Sequence, residues 1–113
     1  MHEQSITDKM LRLVLAEAEA HQARRVTKIN ITIGALSGIV ADSVEFYFQF
    51  LAKETKAAGA QLEFKVQPAV LFCTQCQVEF QKDLYDFLCP TCGAPGKLGA
   101  LGHECLIESI EVE

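Results

Sequence analysis

Residues 69–97, AVLFCTQCQVEFQKDLYDFLCPTCGAPGK, hold two Cys-x-x-Cys pairs, Cys73/Cys76 and Cys89/Cys92, with twelve residues between them. Four thiolates at this spacing supply every corner of a tetrahedral site, the arrangement of structural zinc. The stretch is rich in turn residues and too small to build its own core, so bound metal is what folds it. In Cys89-Pro90-Thr91-Cys92-Gly93, Pro90 presets the turn and Gly93 tolerates a positive φ, which lets backbone N–H groups point at the sulfurs. Cys73-Thr74-Gln75-Cys76-Gln77 repeats the device with a less permissive residue at its end. Zinc is the metal this donor set favours. Iron in a rubredoxin-like electron carrier is the alternative, because Cys-Pro-x-Cys-Gly also suits Fe(Cys)4. As a zinc site it is closed, with no open position, so a zinc held there is structural rather than the seat of chemistry.

Outward from the ribbon, Pro68 marks one border and Gly96, Gly99 and Gly102 the other. Upstream, residues 5–22 predict an amphipathic helix. Ser5 and Asp8 stand at capping-box spacing, and Ile6, Met10, Leu13 and Val14 form a stripe widened by Leu11 and Leu15. Residues 26–33 alternate, with Ile29, Ile31 and Ile33 opposite Lys28, Asn30 and Thr32, as a half-buried strand requires. Asp42 and Glu45 predict the start of a second helix with Val44, Tyr47, Phe48 and Leu51 inside, ending towards Gly59. Leu62, Phe64 and Val66 alternate up to Pro68 as a second strand. Downstream, Leu106 to Glu113 predicts a last strand with Ile110 and Val112 on one face, where Glu108 is out of place.

The order helix, strand, helix, strand, ribbon, strand predicts an α+β fold. It has a small sheet of about three strands packed with two helices, and an inserted zinc-ribbon module. The final strand most simply returns to the first sheet. Residues 1–68 and 98–113 then form one domain, and residues 69–97 the ribbon.

Charge narrows the partners. Fifteen acidic residues outnumber ten basic ones, for a net charge of −5. Only Arg24, Arg25 and Lys28 cluster, and within the ribbon Glu79, Asp83 and Asp86 outweigh Lys82 and Lys97. Counterion release from phosphates needs a basic face, so nucleic-acid binding is disfavoured. No apolar run approaches the roughly 20 residues that span a bilayer. The start Met-His-Glu-Gln lacks a secretion signal, which predicts a cytoplasmic, reducing compartment, where paired cysteines bind metal rather than each other.

Cys105 stands outside both pairs and reads as a small buried hydrophobe. His103 beside Glu104 and Cys105 reads as a surface histidine, because adjacent strand residues point to opposite faces. His21 reads as a helix-end histidine. His2 differs from both. At position two, its imidazole, the α-amine of Met1 and the intervening amide can chelate one small ion, with Glu3 adding an amide and a carboxylate. Amine, amide and imidazole nitrogens suit square-planar Ni(II) or Cu(II), although an N-terminal histidine is more often simply part of a frayed end.

Met1-His2-Glu3, the leading helix, the two Cys-x-x-Cys pairs and the closing Ser109-Ile110-Glu111-Val112-Glu113 together resemble the HypA/HybF family of [NiFe]-hydrogenase maturation. Val26-x-x-Ile29-x-Ile31-x-Ile33-Gly34 and Asp42-x-Val44-x-Phe46-x-Phe48 extend the resemblance over the whole chain. It implies a nickel metallochaperone rather than an enzyme, in keeping with the lack of a phosphate loop or a Ser-His-Asp candidate. It implies nickel cargo on His2, helped by Glu3 and Met1, and structural zinc on Cys73, Cys76, Cys89 and Cys92. The implied partners are a GTPase accessory protein and the hydrogenase large subunit, with urease maturation proteins as further candidates. Monomer and homodimer are both open. Cys105 departs from the family, which usually has an aliphatic residue there. The rubredoxin-like carrier and a zinc-ribbon adaptor that ignores nickel are the rival readings.

Overall fold

Three alternating isoleucines set the centre of the fold. Ile29, Ile31 and Ile33 are buried on one face of the strand Val26–Gly34, while Lys28 and Asn30 point to the other. The computed structural model describes residues 2–81, 87–99, 102 and 104–113, leaving out the side chain of His2. In chain order its elements are α1 (His2–Ala20), β1 (Val26–Gly34), α2 (Ala41–Leu51), β2 (Gln61–Gln67), β3 (Val70–Cys73), β4 (Val78–Gln81), β5 (Lys97–Leu98) and β6 (Cys105–Val112).

β1 is the middle strand of a sheet ordered β2-β1-β6. It pairs parallel with β2, from Lys28↔Gln61 to Gly34↔Gln67, and antiparallel with β6. A parallel pair needs a crossover connection, which α2 supplies. The core beneath the helices includes Met10, Leu11 and Val14 of α1 and Val44 and Phe48 of α2, packed with the isoleucines. The closing strand therefore returns to the first sheet, the simplest arrangement for this order of elements. A second sheet, β4-β3-β5, carries the ribbon. Two helices with small sheets make the α+β fold that the sequence predicts.

The two sheets are joined through residues 67–70 on the way out and, on the return, by way of Gly99, Gly102 and Glu104. At this junction the Gly34 N–H donates to the Glu104 carbonyl at 2.6 Å, the Leu36 N–H to the Gly102 carbonyl at 2.6 Å, and the Gly99 N–H to the Val70 carbonyl at 3.1 Å. Gly102 takes φ +101°, and a Cβ there would lie 2.8 Å from the Ala69 Cα, so glycine is required twice over. No helix among the described residues is long and apolar enough to cross a membrane.

Four expectations change. α1 begins at His2, so Ser5 and Asp8 lie inside it rather than at its cap, and Asp8 pairs with Arg12 at 2.9 Å. α2 starts at Ala41 with Val40 at its cap and no side-chain cap bond, which leaves Asp42 as a first-turn charge. It also ends at Leu51, with turns up to Gly59. Leu13 is 65% exposed, because α1 presents Met10, Leu11 and Val14 to the sheet and rolls Leu13 outward.

The misfit at Glu108 is resolved by a register shift. Asn30 pairs with Ser109 and Ile31 with Ile107, so Glu108 is an extra residue on β6. Such a bulge reverses the alternation. It lets Ile107 and Ile110 both pack against the core, and the Glu108 carboxylate accepts a hydrogen bond from the Thr32 hydroxyl at 2.8 Å.

Phe48 is 1% exposed and Phe46, two residues away, 69%. Phe48→Ala is therefore expected to lower unfolding free energy by about 3–5 kcal/mol, and Phe46→Ala to change it by less than about 0.5 kcal/mol. Urea denaturation of the two variants measures the contrast.

Candidate metal centre

Two knuckles built by the ribbon's turns bring the cysteines together. The first lies between β3 and β4. Cys73 ends β3 and is fully buried, while the Gln77 N–H turns back to the Cys73 carbonyl at 2.8 Å. Gln77 takes φ +60°, the left-handed conformation that glycine would enter at less cost. In return the Cys76 N–H reaches the Cys73 sulfur at 3.3 Å. The second knuckle repeats this geometry, with Gly93 at φ +77° and its N–H on the Cys89 carbonyl at 2.9 Å.

Behind the knuckles, the Cys89 N–H donates to the Ala94 carbonyl at 2.8 Å and the Gly96 N–H to the Phe87 carbonyl at 2.8 Å. Gly96 also admits the Phe80 ring, whose Cζ would lie 2.5 Å from a Cβ at that position. Sequence reasoning took Gly96 only as a border residue and missed this contact. Its signal was a lone glycine after a proline, with no hint of the partner.

The four sulfurs lie within 4.8 Å of one another, with Cys73 and Cys92 3.5 Å apart and Cys76 and Cys89 4.0 Å apart. A tetrahedral zinc with Zn–S bonds of about 2.3 Å needs sulfurs about 3.8 Å apart. The two separations bracket that value, so the cluster fits a zinc site. Among the described residues it is the one grouping of three or more His, Cys, Asp or Glu side chains with that closeness.

The thiols are electrostatically divided. The hydrogen bond that the Cys76 thiol donates toward Cys92, burial and the neighbouring sulfurs push Cys76 up to about 12. The N–H groups of Cys92 and Thr91 aimed at its sulfur hold Cys89 down to about 6. Without metal, one sulfur ionises readily while another holds its proton. A dication removes that conflict, because all four then share its charge.

The other sequence-predicted residues lie elsewhere. Glu3 is in the first turn of α1, where its carbonyl accepts a hydrogen bond from the buried Thr7 hydroxyl. His2 opens the same helix. Met1 and His103 lie outside the described residues. Cys105 is half-buried against the core, and burial pushes its thiol up, as expected of a small hydrophobe. His21 is exposed at the end of α1, with Nε2 3.0 Å from Glu17. The nearby Glu104 carboxylate accepts the Gly102 N–H at 2.6 Å.

A family model described as hydrogenase/urease nickel incorporation, metallochaperone, hypA matches residues 1–112. The chain belongs to the HypA family. The hydrogenase maturation factor HypA of Caldanaerobacter subterraneus subsp. tengcongensis is 45% identical, with all of both chains covered. The hydrogenase maturation factor HybF of Escherichia coli O157:H7 is 32% identical, again over all of both. The fold agrees. The solution structure of a HypA protein superposes with a TM-score of 0.72 at 22% identity, covering 100% of this chain and 97% of that one. That of the Ni metallochaperone HypA from Helicobacter pylori gives 0.65 at 21% identity, covering 97% and 96%.

Zinc must displace the thiol protons, including the one that Cys76 holds well above neutrality. Zinc affinity should therefore fall steeply as pH drops from about 7 to 5, read by competition with a chromophoric chelator. A flat profile would contradict thiolate ligation. Cys92→Ser should bring zinc content below the one per chain expected for the parent, measured by elemental analysis.

Proposed function

We propose that this chain is a nickel metallochaperone of [NiFe]-hydrogenase maturation, with Zn(II) as a structural metal and Ni(II) as transferred cargo. The observation that carries the reading is the family match from residue 1 to residue 112, which takes in the Met-His-Glu start as well as the paired cysteines. In this reading Cys73, Cys76, Cys89 and Cys92 hold zinc. Their tetrahedron has no position left for an exchanging ligand, so cargo binds elsewhere.

The cargo site is the start of α1. The Met1 amine, the His2 amide and the His2 imidazole form a chelate, and Glu3 assists. Two features of α1 support this. It begins at His2, and the first N–H groups of a helix have no partner within the helix, which leaves the His2 amide outside its hydrogen-bond ladder. Glu3 is the acidic residue of its first turn, where a carboxylate offsets the positive pole of the helix and with it the repulsion of a dication. A site of few ligands at a chain end also releases its ion more readily than a buried cage.

Residues 1–68 and 98–113 act as the nickel-binding domain, built round the β2-β1-β6 sheet, and residues 69–97 as the zinc ribbon. The chain performs no catalysis of its own. The energy-coupled step belongs to a GTPase accessory protein, the recipient is the hydrogenase large subunit, and urease maturation proteins are further candidate partners. This work takes place in the cytoplasm.

Nickel titration of the parent, His2→Ala and a variant with one glycine added before Met1 tests the reading. Both variants should lose the tight nickel site while keeping one zinc per chain. Nickel binding in the parent should weaken as pH falls, because protons compete for the nitrogen ligands. Unchanged nickel binding in both variants would leave the rubredoxin-like carrier, marked by iron and red colour, or the zinc-ribbon adaptor.

A further inference from the structure

β6 is an edge strand. In the order β2-β1-β6 it pairs with β1 on one side, and no strand among the described residues pairs with it on the other. An eight-residue edge is a template for another chain. Beside this edge, α1 stands off far enough to leave a groove of about 760 Å³. Its floor and walls include Met10, Leu13 and Val14 from α1 and Leu106 from β6, with Glu17 and Glu108 among the lining residues. Leu13, Leu106 and Val112 are exposed, whereas Met10, Val14, Ile107 and Ile110 on the same two elements pack against the core.

Charge selects the occupant. Within Cys105–Val112 there are two glutamates, Glu108 and Glu111, and no lysine or arginine. The titratable groups lining the groove are Glu17, His21, Cys105 and Glu108, so its field is negative at neutral pH. Two copies joined along β6 would set two acidic strands side by side, which like-charge repulsion opposes. A strand bearing lysine or arginine meets the same edge with attraction. Added strands take affinity from main-chain hydrogen bonds and selectivity from alternate side chains, which is the chemistry this edge and groove offer together.

We propose that the groove between α1 and the free edge of β6 docks an extended segment of a partner protein, one that alternates basic and apolar residues and joins the sheet as its fourth strand. The bulge adds Glu108 to β6, its carboxylate bonded to the Thr32 hydroxyl, while Ile107 and Ile110 stay packed against the core, so the strand carries charge without loss of packing. The groove follows α1 from Met10 to His21, whereas the proposed nickel ligands lie at residues 1–3. The segment and the cargo can then be held together. This inference does not depend on the nickel reading.

The test uses the zinc-loaded full chain and two short fluorescein-labelled peptides, one alternating lysine and valine, the other glutamate and valine. The lysine peptide should bind saturably, more weakly with added salt, and shift the amide NMR signals of residues 105–112 and of the C-terminal half of α1. Leu13→Asn/Glu17→Lys, at exposed helix positions, and Leu106→Thr, which keeps strand propensity, should each weaken it about tenfold with unchanged circular dichroism. Four results would overturn the proposal: no saturable binding; equal binding of the glutamate peptide; amide shifts centred on another patch, such as Phe46 and Phe50; or concentration-dependent shifts of the β6 amides without peptide, which would give the edge to a second copy.

Discussion

Four sulfurs held within 4.8 Å of one another impose the constraint on which the ribbon depends. Thiolates that close repel one another, and thiols that close cannot all give up their protons, as the opposed shifts of Cys76 and Cys89 record. Gly93 enters the left-handed conformation freely, whereas the same turn at Gln77 puts a non-glycine residue under strain that something must offset. A tetrahedral dication does so by drawing both knuckles onto one centre. The same completeness removes the site from exchange. In a protein whose family carries nickel, a saturated tetrathiolate directs attention away from the most conspicuous motif.

The rest of the chain is organised by β1, which is flanked on both sides and covered by the helices. Its isoleucines hold α1 and α2, its antiparallel partner β6 closes the chain, and the Arg25 guanidinium meets the Glu113 carboxylate at 2.9 Å where the sheet ends. The excursion into the second sheet leaves at Gln67 and returns by Gly102 and Glu104, tied back to Gly34 and Leu36 by main-chain bonds. α1 lies on this platform, so its first residues sit at the head of a packed helix. The nickel site proposed there would combine a reachable end with a fixed base.

Much of this was legible in the sequence because it depends on local spacing. The cysteine pairs, the alternation of Ile29, Ile31 and Ile33 and the stop at Pro68 each state their structure within a few residues. What was not legible depends on distant partners. The bulge at Glu108 arises from the register of β6 against β1, some eighty residues away in the chain, and strict alternation misplaces the glutamate. The exposure of Leu13 follows from how α1 rolls on the sheet, which helical periodicity cannot fix to within one residue. The capping signals at Ser5 and Asp42 misplaced the helix starts, because α1 already begins at His2 and α2 at Ala41. Sequence chemistry also named His2 only as one possibility, and the family resemblance was needed to prefer it.

The central claim is that two metals occupy two chemically distinct places. X-ray absorption at the nickel and zinc edges of one doubly loaded sample tests it most directly. The account predicts a zinc shell of four sulfurs at about 2.3 Å and a nickel shell of nitrogen and oxygen alone. Sulfur in the nickel shell, or nitrogen in the zinc shell, would contradict it.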